Sequence, residues 1–113
     1  MIRLEHPFTE EKIRALKTGD MVLITGRLFT VRDAMHKKLH EGATPPVDLT
    51  DQIIYHCGPV TIKDKKGIWR VTAAGPTTSI REEPYQGDIL RKFKVRGVIG
   101  KGGMGKKTLT ALQ

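Results

Sequence analysis

The sequence predicts a single α/β domain. Short runs rich in Val, Ile, Leu and Thr alternate with segments whose apolar residues recur every four positions, and Gly-Pro or Gly-rich breaks separate them. With 113 residues, 38% of them hydrophobic, the chain has room for one modest domain over 1–113 and enough apolar surface to offset its conformational entropy.

Thr9, followed by Glu10 and Glu11, is an N-cap with acids in the first turn. It opens a short helix that stops before Gly19, with Ile13 and Leu16 as a narrow buried edge. Met21 to Thr30 has strand composition, with Gly26 as a turn or bulge. Val31 to His40 reads as a helix whose Val31, Met35 and Leu39 face the core. Arg32, His36 and His40 form a second row, rotated by about 100° and so at the edge of the buried face. Gly42 ends this helix, and Ala43 to Asp48, with Pro45-Pro46, is a loop. Gln52 to His56 and Gly67 to Ala74 are strands with a charged turn, Lys63 to Gly67, between them. Each runs into a Gly-Pro pair, Gly58-Pro59 and Gly75-Pro76. Tyr85 to Phe93 is a weaker helix, and Val95 to Ile99 is a strand leading into Gly100-Lys101-Gly102-Gly103-Met104-Gly105.

The net charge of +8 is unevenly placed. Residues 1–55 carry eight Lys/Arg and eight Asp/Glu, whereas residues 56–113 carry twelve and four. A basic half can follow phosphates or draw small anions into a cleft. The six aromatics do not interleave with the cations, which disfavours a stacking platform for single-stranded nucleic acid. A basic nucleic-acid-binding module over 56–113 stays as the alternative of a different class. No apolar run approaches the roughly 18 residues of a membrane span, and Met1 to Lys12 has no apolar stretch behind a basic start. A single cysteine, Cys57, excludes an internal disulfide and a self-contained iron–sulfur site, so a reducing cytoplasm is expected. His6, His40, His56 and Cys57 are too scattered for a metal set.

Three segments carry candidate chemistry. On a helix, Arg32 and His36 lie one turn apart and can point into one pocket, although a solvated row with Asp33 paired to Lys37 is the plainer reading. In Gly75-Pro76-Thr77-Thr78-Ser79-Ile80-Arg81, three hydroxyls exceed what one helix cap requires. Such a turn can bind carboxylate or phosphate oxygens, with Arg81 as a two-pronged donor. In Gly100 to Gly105, four glycines permit close backbone approach to a ligand, and Lys101 supplies a compact cation. Neither P-loop nor dinucleotide spacing is present, and no zinc- or serine-hydrolase motif occurs.

Taken in order, four stretches resemble the beta subunit, or C-terminal domain, of class I iron–sulfur-dependent fumarate hydratases, and equally the L-tartrate dehydratase beta subunit. They are Thr25-Gly26 through His36, Ile54 to Val60, Gly75 to Arg81, and Gly100 to Gly105. The resemblance implies a swivelling β/β/α domain and a hydro-lyase that interconverts fumarate and (S)-malate, or that dehydrates L-tartrate. It further implies an alpha subunit that carries a 4Fe-4S cluster, a hetero-oligomer, and a C4 dicarboxylate substrate. By the same resemblance, Arg32, Thr78, Arg81 and Lys101 bind the substrate, while Thr77 and His36 are the candidate acid/base groups. Gly75, Gly100, Gly102 and Gly103 then support the loops, and this chain itself holds no metal. Glu82 departs from the Met that many members carry after the arginine, and it threatens anion binding unless it points away. Met35 replaces a residue that is usually smaller. The family's domain normally continues well beyond the glycine loop, so a C-terminal part of it is expected to be missing from these 113 residues.

Overall fold

The computed structural model describes all of residues 1–113. Strands and helices follow in the order β1 (Ile2–Glu5), α1 (Glu10–Arg14), β2 (Val22–Thr25), β3 (Phe29–Thr30), α2 (Asp33–His40), β4 (Ile53–Tyr55), β5 (Val60–Lys63) and β6 (Trp69–Ala73). A 3-10 turn (Ser79–Glu82) runs into α3 (Glu83–Phe93), and β7 (Gly97–Ile99) and α4 (Lys106–Leu112) complete the chain. No helix is long and apolar enough to cross a membrane.

The central sheet is parallel, in the order β3-β4-β7, so the middle strand is buried on both faces. Neighbouring residues of β4 therefore enter different cores. Ile54 packs with Val31, Leu39, Leu49, Ile89, Leu90 and Val95, beneath α2 and α3. Ile53 packs with Leu4 and Phe8, where the parallel pair β1-β2 and α1 cover the sheet. The result is three layers: a small sheet, the central sheet, and helices.

Several expectations need correction. Residues 21–30 divide between two sheets at Gly26 (φ 140°), because β2 pairs with β1 while β3 pairs with β4. The hairpin partner of β6 is Val60–Lys63 rather than Gln52–His56, which lies in the central sheet. The first helix ends at Arg14, since Lys17 to Asp20 closes its own turn, with Lys17 N–H donating to Asp20 Oδ2 at 2.8 Å. Met35 is 39% exposed, whereas His36, one step round the helix, is fully buried. The apolar stripe of α2 is thus narrower than the spacing implies, and a histidine takes the place of the methionine.

Helix α4, unforeseen in the sequence, is fastened from α3. The Glu83 carboxylate accepts hydrogen bonds from Gly105 N–H (2.9 Å), Lys107 N–H (3.1 Å) and Thr108 Oγ1–H (2.6 Å). A carboxylate at a helix N-terminus satisfies otherwise unpaired N–H groups and suits the dipole. A side chain at Gly105 would collide with that carboxylate, and one at Gly87 would press on the Lys107 carbonyl. The hairpin β5-β6 lies at the other extreme. All of its strand residues are exposed, including Ile62 at 51% and Trp69 at 65%.

This contrast sets the stability expected of two isoleucines. Truncating Ile54, which is 0% exposed, is expected to cost about 2–5 kcal/mol in urea unfolding. Ile62→Ala is expected to stay within about 0.5 kcal/mol of the parent. Equal losses in the two variants would contradict the placement of the core.

Candidate functional site

Thr30, Tyr55 and Ile99 stand in register as the last residues of the three parallel strands. The ladder continues one step further, through Val31 N–H to the Tyr55 carbonyl (3.0 Å) and His56 N–H to the Ile99 carbonyl (2.8 Å). Arg32, Gly58 and Lys101 therefore leave the sheet along one edge. The carboxyl ends of parallel strands, where chains diverge, are where such sheets form ligand crevices.

Segment Thr77–Arg81 is sewn to this edge from both sides. Thr77 donates its backbone N–H (2.7 Å) and its hydroxyl (3.2 Å) to the His56 carbonyl, which leaves its oxygen lone pairs free. Cys57 pairs with Pro76, and Thr78 pairs with Lys101 in short bridges. Ser79 N–H donates to the Lys101 carbonyl (3.1 Å), and Lys101 N–H donates to Ser79 Oγ (3.0 Å). The backbone thus brings Thr77, Thr78 and Lys101 together. Arg32 joins them from β3, its side chain lying against Gly58 so closely that a Cβ there would collide with the guanidinium. Arg81 stands in the 3-10 turn, three residues beyond Thr78, and its charge, like that of Arg32, acts on Asp33 at the start of α2. Arg32, Thr78, Arg81 and Lys101 are all exposed and Thr77 is half-buried, so the arrangement is an open edge and not an enclosed pocket.

Gly100 and Gly102 are explained by this geometry. A side chain at Gly100 would strike Ser79 Oγ and His56 Nδ1, and Gly102 has φ 74°. Gly75 and Gly103 have open space around them.

His36 does not share a pocket with Arg32. Arg32 is the N-cap of α2, and the His36 ring turns inward, with Nδ1 3.0 Å from the Arg32 carbonyl and Nε2 2.8 Å from the Gln86 amide oxygen. The same oxygen lies 2.6 Å from His56 Nε2, and His56 Nδ1 lies 3.0 Å from Ser79 Oγ. Gln86 Nε2 has no partner. A carbonyl only accepts, so His36 Nδ1 holds the proton and its Nε2 is bare when the ring is neutral. Turning the amide by 180° gives each bare Nε2 an N–H donor and leaves His56 Nδ1–H for Ser79 Oγ. Burial favours that neutral state, because desolvation holds both imidazoles below the usual histidine range. His56, Ser79 and Gln86 thus form a polar floor that motif spacing did not disclose. Only the surplus hydroxyl at Ser79 hinted at it. His40, the last of the expected row, is exposed and faces Asp88 at 3.1 Å.

Glu82 points away from the open edge. It is 0% exposed, and neither carboxylate oxygen has a donor. Asp33 faces it, rather than pairing with Lys37, whose carboxylate partner is Glu41 at 3.9 Å. Burial, reinforced by the Asp33 charge, raises Glu82 to about 7, and a protonated Glu82 donates to Asp33 and holds that carboxylate low. No three His, Cys, Asp or Glu side chains gather closely enough to hold a metal ion, and the one cysteine, Cys57, is buried. The residues of this chain therefore do not fit an iron–sulfur cluster.

The whole chain, residues 1–113, matches the family model described as Fumarase C-terminus. It is 64% identical over 113 residues to a Geobacillus stearothermophilus protein named "Putative fumarate hydratase class I", a match that covers all of this chain and 22% of that protein. It is 38% identical over 106 residues to the L(+)-tartrate dehydratase subunit beta of Escherichia coli K12, covering 93% of this chain and 52% of that subunit. The chain thus spans about a fifth of the first relative and about half of the second.

The buried acid sets a pH-dependent stability. Below about pH 4.5 Glu82 is protonated whether the chain is folded or not, and it has no effect. Between about pH 4.5 and 7 the unfolded state is ionised while the folded one keeps its proton, so stability falls across that range and stays level above it. Glu82→Gln, which keeps a donor for Asp33, is expected to raise urea stability by about 1–3 kcal/mol at pH 8 and by little at pH 4.5. A gain equal at both pH values would contradict the buried, proton-sharing pair.

Proposed function

The chain belongs to the fumarase C-terminus family, and from that premise we propose that it supplies the substrate-gripping side of a hydro-lyase that interconverts fumarate and (S)-malate. L-tartrate dehydration is the close alternative, because a relative named for it aligns over nearly the whole chain. In this reading the 113 residues form one domain of the swivelling β/β/α kind, a view supported by the three layers. They work in the cytoplasm within a hetero-oligomer, beside an alpha subunit whose own residues hold the 4Fe-4S cluster. The observation that carries the reading is the Thr78–Lys101 seam, which sets the backbone of the hydroxyl segment beside that of Lys101 on an exposed edge.

Hydration of a dicarboxylate alkene passes through an aci-carboxylate, in which charge grows on one carboxylate as the α-carbon gains or loses its proton. Cations fixed beside that carboxylate stabilise the transition state more than the ground state. Arg32 and Arg81 suit two-pronged carboxylate binding, and Lys101 suits a point charge. Thr78 adds a hydroxyl donor. Thr77 is assigned the acid/base role at the carbon. Its hydroxyl proton is engaged by the His56 carbonyl, so its lone pairs are left free. His36, buried with both ring nitrogens engaged, is not assigned that role.

The test is anaerobic assay of the chain co-expressed with an iron–sulfur alpha subunit against fumarate, malate and tartrate. Arg81→Ala and Lys101→Ala are each expected to lower kcat/KM by one to two orders of magnitude or more, since a charge-assisted contact is worth about 1.5–3 kcal/mol. Near-parental activity in both variants would overturn the assignment.

A further inference from the structure

We propose that Ser79, His56 and Gln86 are positioning residues: a buried relay anchored on His36 that locks the Lys101 loop against the Thr77–Arg81 segment. The proposal rests on the function given above for its catalytic consequence, though not for its structural one.

Four of the groups concerned lie almost wholly out of water, with His36, His56 and Gln86 at 0% and Ser79 at 3% exposure. They come from three separate stretches of chain, with Ser79 and Gln86 on the continuous 3-10 turn and α3. Gln86, on α3, stands between a histidine of α2 and one at the exit of β4. His56 passes the connection to Ser79 (3.0 Å), and Ser79 Oγ is the acceptor for the Lys101 backbone N–H (3.0 Å). The Ser79 hydroxyl is therefore the one side-chain group that ties the glycine loop to the hydroxyl segment. Glycine at 100 is required for it, since a side chain there would drive between Ser79 Oγ and His56 Nδ1. A loop with four glycines in six residues has little order of its own. What fixes Lys101 must come from outside the loop, and the buried polar network, in which only one Gln86 amide atom lacks a partner, supplies it. None of the relay side chains reaches the exposed edge, so their influence on chemistry is through Lys101 and Thr77 alone.

The experiment follows amide hydrogen exchange in the full chain alongside steady-state kinetics of the alpha–beta complex. Ser79→Ala and Gly100→Ala are each expected to speed exchange at the Lys101 amide at least tenfold, with exchange at Ile54 unchanged. In the complex both variants are expected to lower kcat/KM tenfold or more, chiefly through a raised KM for the diacid. His56→Asn keeps an amide N–H at the level of Nδ1 and is expected to hold Lys101 exchange within about threefold of the parent. His56→Leu, at comparable global stability, loses that protection. Parental Lys101 exchange in Ser79→Ala and His56→Leu would overturn the proposal, and so would equal loss in His56→Asn and His56→Leu. A parental complex inactive on every diacid would instead sink the function, while the exchange data would still decide the relay.

Discussion

Two seams of backbone hydrogen bonds hold the site together, and both grow from the parallel sheet. One joins Thr77 to the His56 carbonyl beyond β4, and the other joins Thr78 and Ser79 to Lys101 beyond β7. Because Thr30, Tyr55 and Ile99 end in register, three chains leave the sheet at one level. Everything chemically notable here sits within a few residues of those exits. The sheet in turn depends on β4, whose Ile53 and Ile54 join separate cores on its two faces. Disturbing that strand would misplace Arg32, Thr77 and Lys101 together, since all three are referenced to it.

Polar groups under the edge act on a different scale from cations above it. The buried His36–Gln86–His56–Ser79 chain excludes water and favours neutral rings, so it contributes order rather than charge. The Asp33–Glu82 pair beside it is bonding only while one carboxyl keeps a proton. As pH falls below about 6.5, protonation of the two imidazoles in the unfolded chain removes stability, whereas between about pH 4.5 and 7 a rise in pH removes it through ionisation of Glu82 in the unfolded chain. The two effects therefore oppose each other on the acid side of neutrality. Above the edge, the cations stay solvated until another surface covers them, which suits a half-site completed by a second protein.

Local features were legible in the sequence, and long-range ones were not. The hydroxyl run at Thr77, the glycine loop around Lys101 and the N-cap at Thr9 are each defined by adjacent residues, and all three lie where the spacing put them. The burial of His36 was not readable, because four-residue spacing describes two rows on α2. The inward turn of His36 alone, with Arg32 and His40 of its row exposed, goes with its bond to Gln86, fifty residues away. Glu82 reads as a threat to anion binding beside Arg81, yet the 3-10 turn buries it against Asp33. Helix α4 lacked a local start signal, since its capping carboxylate, Glu83, comes from α3. Strand β1 alternates charged with apolar residues and was missed for its shortness, its partner β2 lying twenty positions on.

The most direct measurement is the position of a bound C4 diacid in a crystal structure of this chain assembled with the iron–sulfur alpha subunit proposed for it. One carboxylate is expected to be held by an arginine among Arg32 and Arg81 together with Lys101 Nζ, with a carbon within about 3.5 Å of Thr77 Oγ1. A diacid bound in that complex without contact to Lys101 or to any residue of Thr77–Arg81 would contradict it.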